Sequence, residues 1–115
     1  MSYLQVLLRH GVAHVYNHWS YTPPLAEQHA KMHGITAVFT VLRLLTPLKL
    51  SYEAAKNRAE PYTKIVEELP QMRQETVQLT RQAVSEGRRA YVLVNNRAEG
   101  NAPLTVEGLV GMLRG

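Results

Sequence analysis

The hydrophobic positions of this chain form three short continuous runs, separated by longer segments in which apolar residues recur at helical spacing. The runs are Val12–Tyr16, Ala37–Leu45 and Ala90–Val94, and they are rich in β-branched and aromatic residues. Continuous apolar runs of this length, bounded by turn residues, are typical of strands that are buried on both faces. We therefore predict three buried strands.

The segments between the runs carry helix start and stop signals. The longest predicted helix, Gln71–Glu86, has Met72, Val77, Leu79, Ala83 and Val84 on its predicted buried side. The interior glycines of the last helix weaken it but allow another segment to approach closely. The predicted helices are Ser2–His10, ended by Gly11; Leu25–His33, opened by Pro23 and Pro24 and ended by Gly34; one from Tyr52, capped by Ser51; Gln71–Glu86, ended by Gly87; and Val106–Leu113, capped by Thr105, with Gly108 and Gly111 inside it.

The resulting order, αβαβααβα, predicts an α/β fold in one domain, residues 1–115. Strands separated by helices pair in parallel through right-handed crossovers. Three such strands leave two apolar edges, and an uncovered edge pairs readily with another chain. We therefore expect either a fragment of a larger sheet or a chain that completes its sheet by association.

Composition excludes several kinds of chemistry. There is no cysteine, which rules out disulfides, thiolate metal sites and a cysteine nucleophile. Aspartate is also absent, which argues against metal-dependent phosphoryl transfer. The net charge of +4 comes from scattered basic residues and is interpreted mainly as a solubility feature. No apolar run approaches the ~18 residues of a membrane span, and no secretory leader is evident, so we expect no membrane partner and a cytoplasmic location.

Three stretches resemble the YecE-like family, which is catalogued as domain of unknown function 72. They are HVYNHW (His14–Trp19), FTVLRLLTP (Phe39–Pro47) and VNNRAEGNAP (Val94–Pro103). The resemblance covers nearly the whole chain in matching order and maps onto the C-terminal part of the family domain. It implies a partial TIM-barrel-like fold made of approximately the last three βα units, since a full barrel needs on the order of 250 residues. The family has no established activity, so the resemblance assigns no catalytic residue and no cofactor.

In such folds ligands bind at the carboxyl ends of the strands, and this is where the candidate site lies. Polar and aromatic residues follow or end each of the three predicted strands. The candidate ligand-binding residues are Asn17, His18 and Trp19 after the first strand, Arg43 near the end of the second, and Asn95, Asn96, Arg97 and Glu99 after the third.

Arg43 is the strongest of these candidates. A guanidinium in an otherwise apolar strand needs a partner, because an unpaired buried charge costs several kcal/mol. That partner is either the phosphate or carboxylate of a ligand or, alternatively, a glutamate of the chain such as Glu99.

The amide and aromatic candidates allow two interpretations each. Asn95 and Asn96 could hold a sugar, a base edge or a phosphate, or they could tie down their own loop through Asx-type turns. Trp19 and Tyr21 could stack on a ring or base, or they could pack as a wall of the barrel mouth.

The histidines do not predict a metal site. His10, His14 and His18 recur every four residues, but Gly11 and the first strand interrupt any helix there. His29 and His33 lie four apart on a predicted helix that lacks the glutamate of a zinc-protease motif, and their position near its C-terminus suits the helix dipole. His18 remains a possible acid or base by position. Glu99 is the sole carboxylate at the strand ends, which argues against a glycosidase-type carboxylate pair.

Two functional hypotheses follow. The first is an enzyme-type barrel that binds a small phosphorylated or nucleotide-like ligand, with Arg43, Lys49 and Arg97 as anion contacts. The second is a catalytically inactive assembly or interaction module that completes its sheet with another chain, either a missing N-terminal half or a second copy. The lack of aspartate and of the first barrel strands favours the second hypothesis for this chain alone.

Overall fold

A computed structural model describes residues 2–115, and in this range it contains three strands and six helices. In chain order they are α1 (Tyr3–His10), β1 (Val15–His18), α2 (Leu25–Met32), β2 (Phe39–Leu44), α3 (Tyr52–Ala59), α4 (Pro70–Ser85), β3 (Arg89–Val94), α5 (Asn96–Glu99) and α6 (Ala102–Arg114). No helix in this range is both long enough and apolar enough to cross a membrane.

The strands form one parallel sheet in the order β1-β2-β3. Asn17 is opposite Arg43, which in turn is opposite Leu93, and the rows on either side keep this register. The predicted α/β architecture with a parallel three-stranded sheet is therefore confirmed.

The first strand begins three residues later than the sequence pattern predicts. The Val12 amide donates to the Leu7 carbonyl at 2.9 Å, and the Val12 carbonyl accepts from Thr36 Oγ1 at 2.6 Å. Both backbone groups of Val12 are thus used outside the sheet, at the end of α1. At its other end β1 extends to His18, whose carbonyl accepts from the amides of Leu45 and Thr46.

Several helix boundaries also differ from the sequence prediction. α6 begins at Ala102 and is capped by Asn101, whose side chain accepts from the Leu104 amide at 3.0 Å. Thr105 is therefore inside the helix, and the prediction that it caps the helix was wrong. α2 closes one residue early because His33 adopts a left-handed conformation, with φ 55°. The short helix α5 was not predicted.

The prediction that the strands are buried on both faces was wrong. Tyr16, Leu42 and Leu44 are fully buried in one core cluster with residues of α2, α4 and α6. The alternate residues face the other way, and there Tyr91 is 48% and Leu93 57% exposed. The helices pack on one face of the sheet, so burial alternates along each strand. The less covered face carries Val15, Asn17, Phe39, Val41, Arg43, Arg89, Tyr91 and Leu93, and is called the open face below.

The buried side of α4 matches its predicted apolar stripe except at Val84, which is 64% exposed. In its place the helix buries three polar residues, Arg73, Glu75 and Thr76. Gly108 permits close packing, as predicted, since a Cβ there would lie 2.5 Å from Arg73 Nη1. Gly111 has no such neighbour within 4 Å.

Candidate functional site

Arg43 lies on the open face, near the carboxyl end of the central strand. Its side chain is exposed, and Nη1 donates to Asn17 Oδ1 over a long 3.4 Å. Within residues 2–115 it forms no salt bridge. The alternative of a structural pair with Glu99 was therefore wrong, and most of the guanidinium donors of Arg43 face solvent.

The turn after β1 holds an aromatic pair beside this arginine. Trp19 and Tyr21 meet edge to face, with ring centroids 4.8 Å apart and an interplanar angle of 83°. The Trp19 amide donates to Thr22 Oγ1 at 3.0 Å. Gln28 Nε2 donates to the Asn17 carbonyl at 2.7 Å, so helix α2 helps to fix the turn.

These residues enclose a groove of about 400 Å³ at the carboxyl edge of the open face. It combines a cation, an amide and an indole ring on a backbone that is held by hydrogen bonds. A guanidinium recognises phosphate or carboxylate in two-point geometry, and an exposed aromatic face can stack on a ring. The Arg43 groove is lined by Asn17, Trp19, Thr22, Arg43 and Leu45.

His18 lies on the opposite, helix-packed face, although it follows Asn17 directly. It is 4% exposed, and its Nδ1 donates to the Thr46 carbonyl at 2.8 Å. Because a carbonyl only accepts, Nδ1 carries the proton, and Nε2 of the neutral ring is an acceptor. Burial lowers the pKa of His18 below its ordinary value, and the hydrogen bond to Thr46 offsets part of this effect.

The asparagines after β3 bind backbone groups of their own loop. Asn95 Oδ1 accepts from the Arg97 amide at 2.9 Å and caps α5. Asn96 Oδ1 accepts from the Ala102 amide at 2.8 Å at the start of α6. The Arg97 guanidinium lies over the Tyr52 ring, 4.5 Å from its centroid. None of the three lines the Arg43 groove.

Glu99 is fully buried and its carboxylate is saturated with donors. It binds Arg73 through two nitrogens, accepts from the Leu69 amide at 2.7 Å and accepts from Thr105 Oγ1 at 2.7 Å. Burial alone would raise the pKa of Glu99, but the bonds from Arg73, Leu69 and Thr105 outweigh it and hold that pKa below its usual value. With these partners Glu99 is a structural carboxylate.

The backbone around Glu99 docks on the segment that precedes α4. The Glu99 carbonyl accepts from the amides of Val66 and Glu67, and Asn101 Nδ2 donates to the Tyr62 carbonyl at 2.8 Å. Gly100 has φ 125°, and a Cβ there would collide with the carbonyl oxygen of Lys64. The loop between β3 and α6 thus clamps the segment before α4 to the sheet.

The sequence analysis did not identify two buried charged residues of α4, Arg73 and Glu75. Glu75 is spaced three residues after Met72 and four before Leu79, so it lies on the apolar stripe of the helix. A charged residue in such a stripe is the signal that could have found it. Arg73 lies next to Met72 and gives no comparable signal.

Two of the other histidines, His14 and His29, have side-chain hydrogen-bond partners. His29 Nδ1 and Nε2 contact Tyr16 Oη at 2.8 Å and Gln82 Oε1 at 3.0 Å. His14 Nδ1 contacts Tyr3 Oη at 2.9 Å. In the described range, no three side chains of histidine or acidic residues come together as metal ligands.

Comparison with protein families gives one match that covers the chain. The model of the family described as "Protein of unknown function DUF72" matches residues 1–115. The chain belongs to this family. Comparison with curated proteins gave no match, and neither did comparison with solved structures.

The three stretches that carry the resemblance have different structural roles in this DUF72 chain. The first two supply all the groove residues except Thr22, namely Asn17, Trp19, Arg43 and Leu45. The third supplies the loop that binds Arg73 and clamps the segment before α4. The groove and the clamp lie on separate parts of the fold.

Proposed function

We propose that this DUF72 chain is the C-terminal part of a YecE-like, TIM-barrel-like domain that binds a small phosphorylated or nucleotide-like ligand in the Arg43 groove. The partial-barrel placement is supported by the sheet itself. One face is packed with helices, and the other is mostly apolar and only partly covered, as an unfinished barrel interior would be.

The observation that carries the ligand proposal is the state of Arg43. Its guanidinium projects from a strand, donates a long hydrogen bond to the Asn17 amide oxygen and forms no salt bridge within residues 2–115. The buried Arg73, by contrast, is paired with Glu99. The unpaired N–H groups of the Arg43 guanidinium can bind a phosphate group through two parallel hydrogen bonds.

Trp19 and Asn17 suit the rest of such a ligand. Trp19 is 39% exposed and borders the groove, so its ring can stack on a base or sugar. Asn17 Nδ2 donates to the Val15 carbonyl, and its Oδ1 faces Arg43. Arg97 is engaged with Tyr52, so we assign the main anion contact to Arg43 alone.

The test is calorimetric titration with inorganic phosphate and with adenosine monophosphate. Replacing Arg43 by lysine keeps the positive charge but removes the two-point donor geometry of the guanidinium. We therefore expect about tenfold weaker binding of phosphate and of adenosine monophosphate, corresponding to ~1.4 kcal/mol. Trp19→Ala should weaken the nucleotide and leave phosphate unchanged.

The matched control is Arg89→Lys. Arg89 is an exposed arginine opposite Phe39, at the amino edge of the same sheet. It should leave both affinities unchanged. Equal affinities for the wild type and Arg43→Lys, or no binding by either, would show the proposal to be wrong.

The alternative is an assembly module without catalysis, and the open face favours it. Val15, Tyr91 and Leu93 are apolar residues of this face and are each more than one third exposed. A further chain, or a second copy, would bury these side chains and pair the free edges of β1 and β3. The YecE-like placement, the cytoplasmic location and this association stay predictions.

A further inference from the structure

A second cavity lies at the same edge of the sheet as the Arg43 groove, but on the helix-packed face. It has a volume of about 280 Å³, just below the ~300–1,000 Å³ of typical ligand pockets, so it suits a small molecule. Pro47, Leu48, Leu69 and Met72 form apolar walls. His18 and Glu75 are its two buried polar side chains, and we call it the His18–Glu75 cavity.

Glu75 is the unexplained group in this cavity. Its residue is 9% exposed, and Oε1 has no hydrogen-bond partner within the described part of the chain. Oε2 accepts from Gln71 Nε2 at 3.2 Å, which is its neighbour one turn earlier in α4. A buried carboxylate oxygen without a donor is costly, and such groups in folded proteins call for an explanation.

His18 adds a second acceptor to the same cavity. Its Nδ1 proton is used by the Thr46 carbonyl, so Nε2 is the nitrogen left for another partner. The ring is almost fully buried, and the fixed bond to Thr46 holds its orientation. The cavity therefore offers two acceptors and apolar walls.

The charges around the cavity select the ligand. Glu67 also lines it, and no lysine or arginine does. The carboxylate of Glu67 is more than half exposed and is bound by Arg58, outside the cavity lining, which leaves Glu75 as the buried carboxylate with a free oxygen. The cavity therefore offers two hydrogen-bond acceptors and a negative charge, and no cation lines it. This combination disfavours an anionic ligand and favours a positively charged hydrogen-bond donor.

We infer that the His18–Glu75 cavity binds a small organic cation, a primary ammonium group attached to a compact apolar body. One ammonium N–H donates to Glu75 Oε1 and another to His18 Nε2. The apolar body lies against Leu48, Leu69 and Met72. This site is independent of the Arg43 groove, which lies on the other face of the sheet.

The experiment is an NMR titration of the whole chain with cyclohexylammonium, cyclohexanol and cyclohexanecarboxylate, followed at the His18 ring and the Met72 methyl group. The three probes share one ring and differ in charge. We expect saturable shifts with the ammonium probe, at least tenfold weaker binding of the alcohol and none of the carboxylate. Glu75→Gln should reduce ammonium affinity to that of the alcohol.

Two controls keep the result interpretable. Glu53→Gln removes an exposed glutamate of α3 and should leave the affinity unchanged, as should Arg43→Lys. Glu75→Gln should unfold at the same urea concentration as the wild type or a higher one, because it removes an unpaired buried charge. Lost binding then cannot reflect lost folding.

Three outcomes would overturn the inference. They are the absence of saturable shifts at His18 and Met72, equal binding of the ammonium probe and the alcohol, and a Glu75→Gln variant that binds the ammonium probe as well as the wild type does.

Discussion

Arg73 and Glu99 form a buried, two-point ion pair that joins α4 to the loop after β3. Arg73 Nε lies 2.9 Å from Glu99 Oε2, and Arg73 Nη2 lies 2.6 Å from Glu99 Oε1. Thr105 of α6 and the backbone of Leu69 bind the same carboxylate. One carboxylate therefore connects the loop with the start of α4 and with α6.

The first prediction concerns this pair. Arg73→Met leaves Glu99 buried without its cation, and we expect a loss of about 3–5 kcal/mol in the free energy of unfolding. Urea denaturation at pH 7 measures it. Arg9→Met, at an exposed position of α1, is the control and should change stability by less than ~0.5 kcal/mol. Similar values for the two variants would contradict a central role for the pair.

The pair also predicts a dependence on pH. The folded pKa of Glu99 is lowered, so its contribution is present above the ordinary carboxyl range and is lost as the pH falls through the folded pKa. Glu99→Gln should therefore show a shallower loss of stability with acid than the wild type. Urea midpoints between pH 3 and pH 7 test this, and parallel curves for the two proteins would speak against it.

The second prediction compares two glycines of one helix. A Cβ at Gly108 would lie 2.5 Å from Arg73 Nη1, which Glu99 prevents from moving away, whereas a Cβ at Gly111 meets nothing within 4 Å. We expect Gly108→Ala to destabilise the protein and Gly111→Ala to stabilise it by up to ~1 kcal/mol through helix propensity. Thermal or urea unfolding measures the sign of the stability change in each variant. A Gly108→Ala variant more stable than the wild type would rule out the close contact.

The third prediction concerns His18. Burial lowers its folded pKa, so the unfolded chain binds the proton more tightly. The stability it contributes is complete above the unfolded pKa of about 6.5 and falls as the pH drops from there toward the lowered folded pKa. His14 shifts in the same direction, so both contribute. His18→Asn should flatten part of this slope between pH 7 and pH 5, and an unchanged slope would contradict the assignment.

The fourth prediction concerns the open face. Because Leu93 is 57% exposed among other apolar residues, we expect the wild type to self-associate at micromolar concentrations and Leu93→Glu to reduce association. Val84→Glu is the matched control, since Val84 is 64% exposed on α4 and does not belong to the open face. Sedimentation velocity distinguishes the monomer from the self-associated protein. A wild type that stays monomeric throughout would argue against the assembly hypothesis.

Much of the fold could be predicted because local rules determine it. Ser51 is the predicted helix cap, and its oxygen accepts from the amide three residues later, while Gly11 takes the left-handed turn that ends α1. Three apolar runs separated by helical segments lead to a parallel sheet through helical crossovers. Residue spacing alone contains this information.

The candidate site depended more on tertiary packing. The pattern placed Arg43, Asn17 and Trp19 at one sheet edge, and they line one groove. It also grouped His18 with them, although consecutive strand residues point to opposite faces, and His18 belongs to another cavity. Asn95 and Asn96 follow a strand end as a ligand loop would, yet their oxygens bind backbone amides.

The sequence by itself determined the three strands, every described helix except α5, their order and the parallel sheet, because helix caps, turns and hydrophobic spacing act between near neighbours. Only the tertiary structure decided which charges are paired. Arg43 and Arg73 are the same residue type, but Glu99 lies 26 residues from Arg73 and binds it, while Arg43 stays free on the open face. Side-chain pairing over such separations depends on how helices pack on the sheet, and no local pattern encodes that geometry.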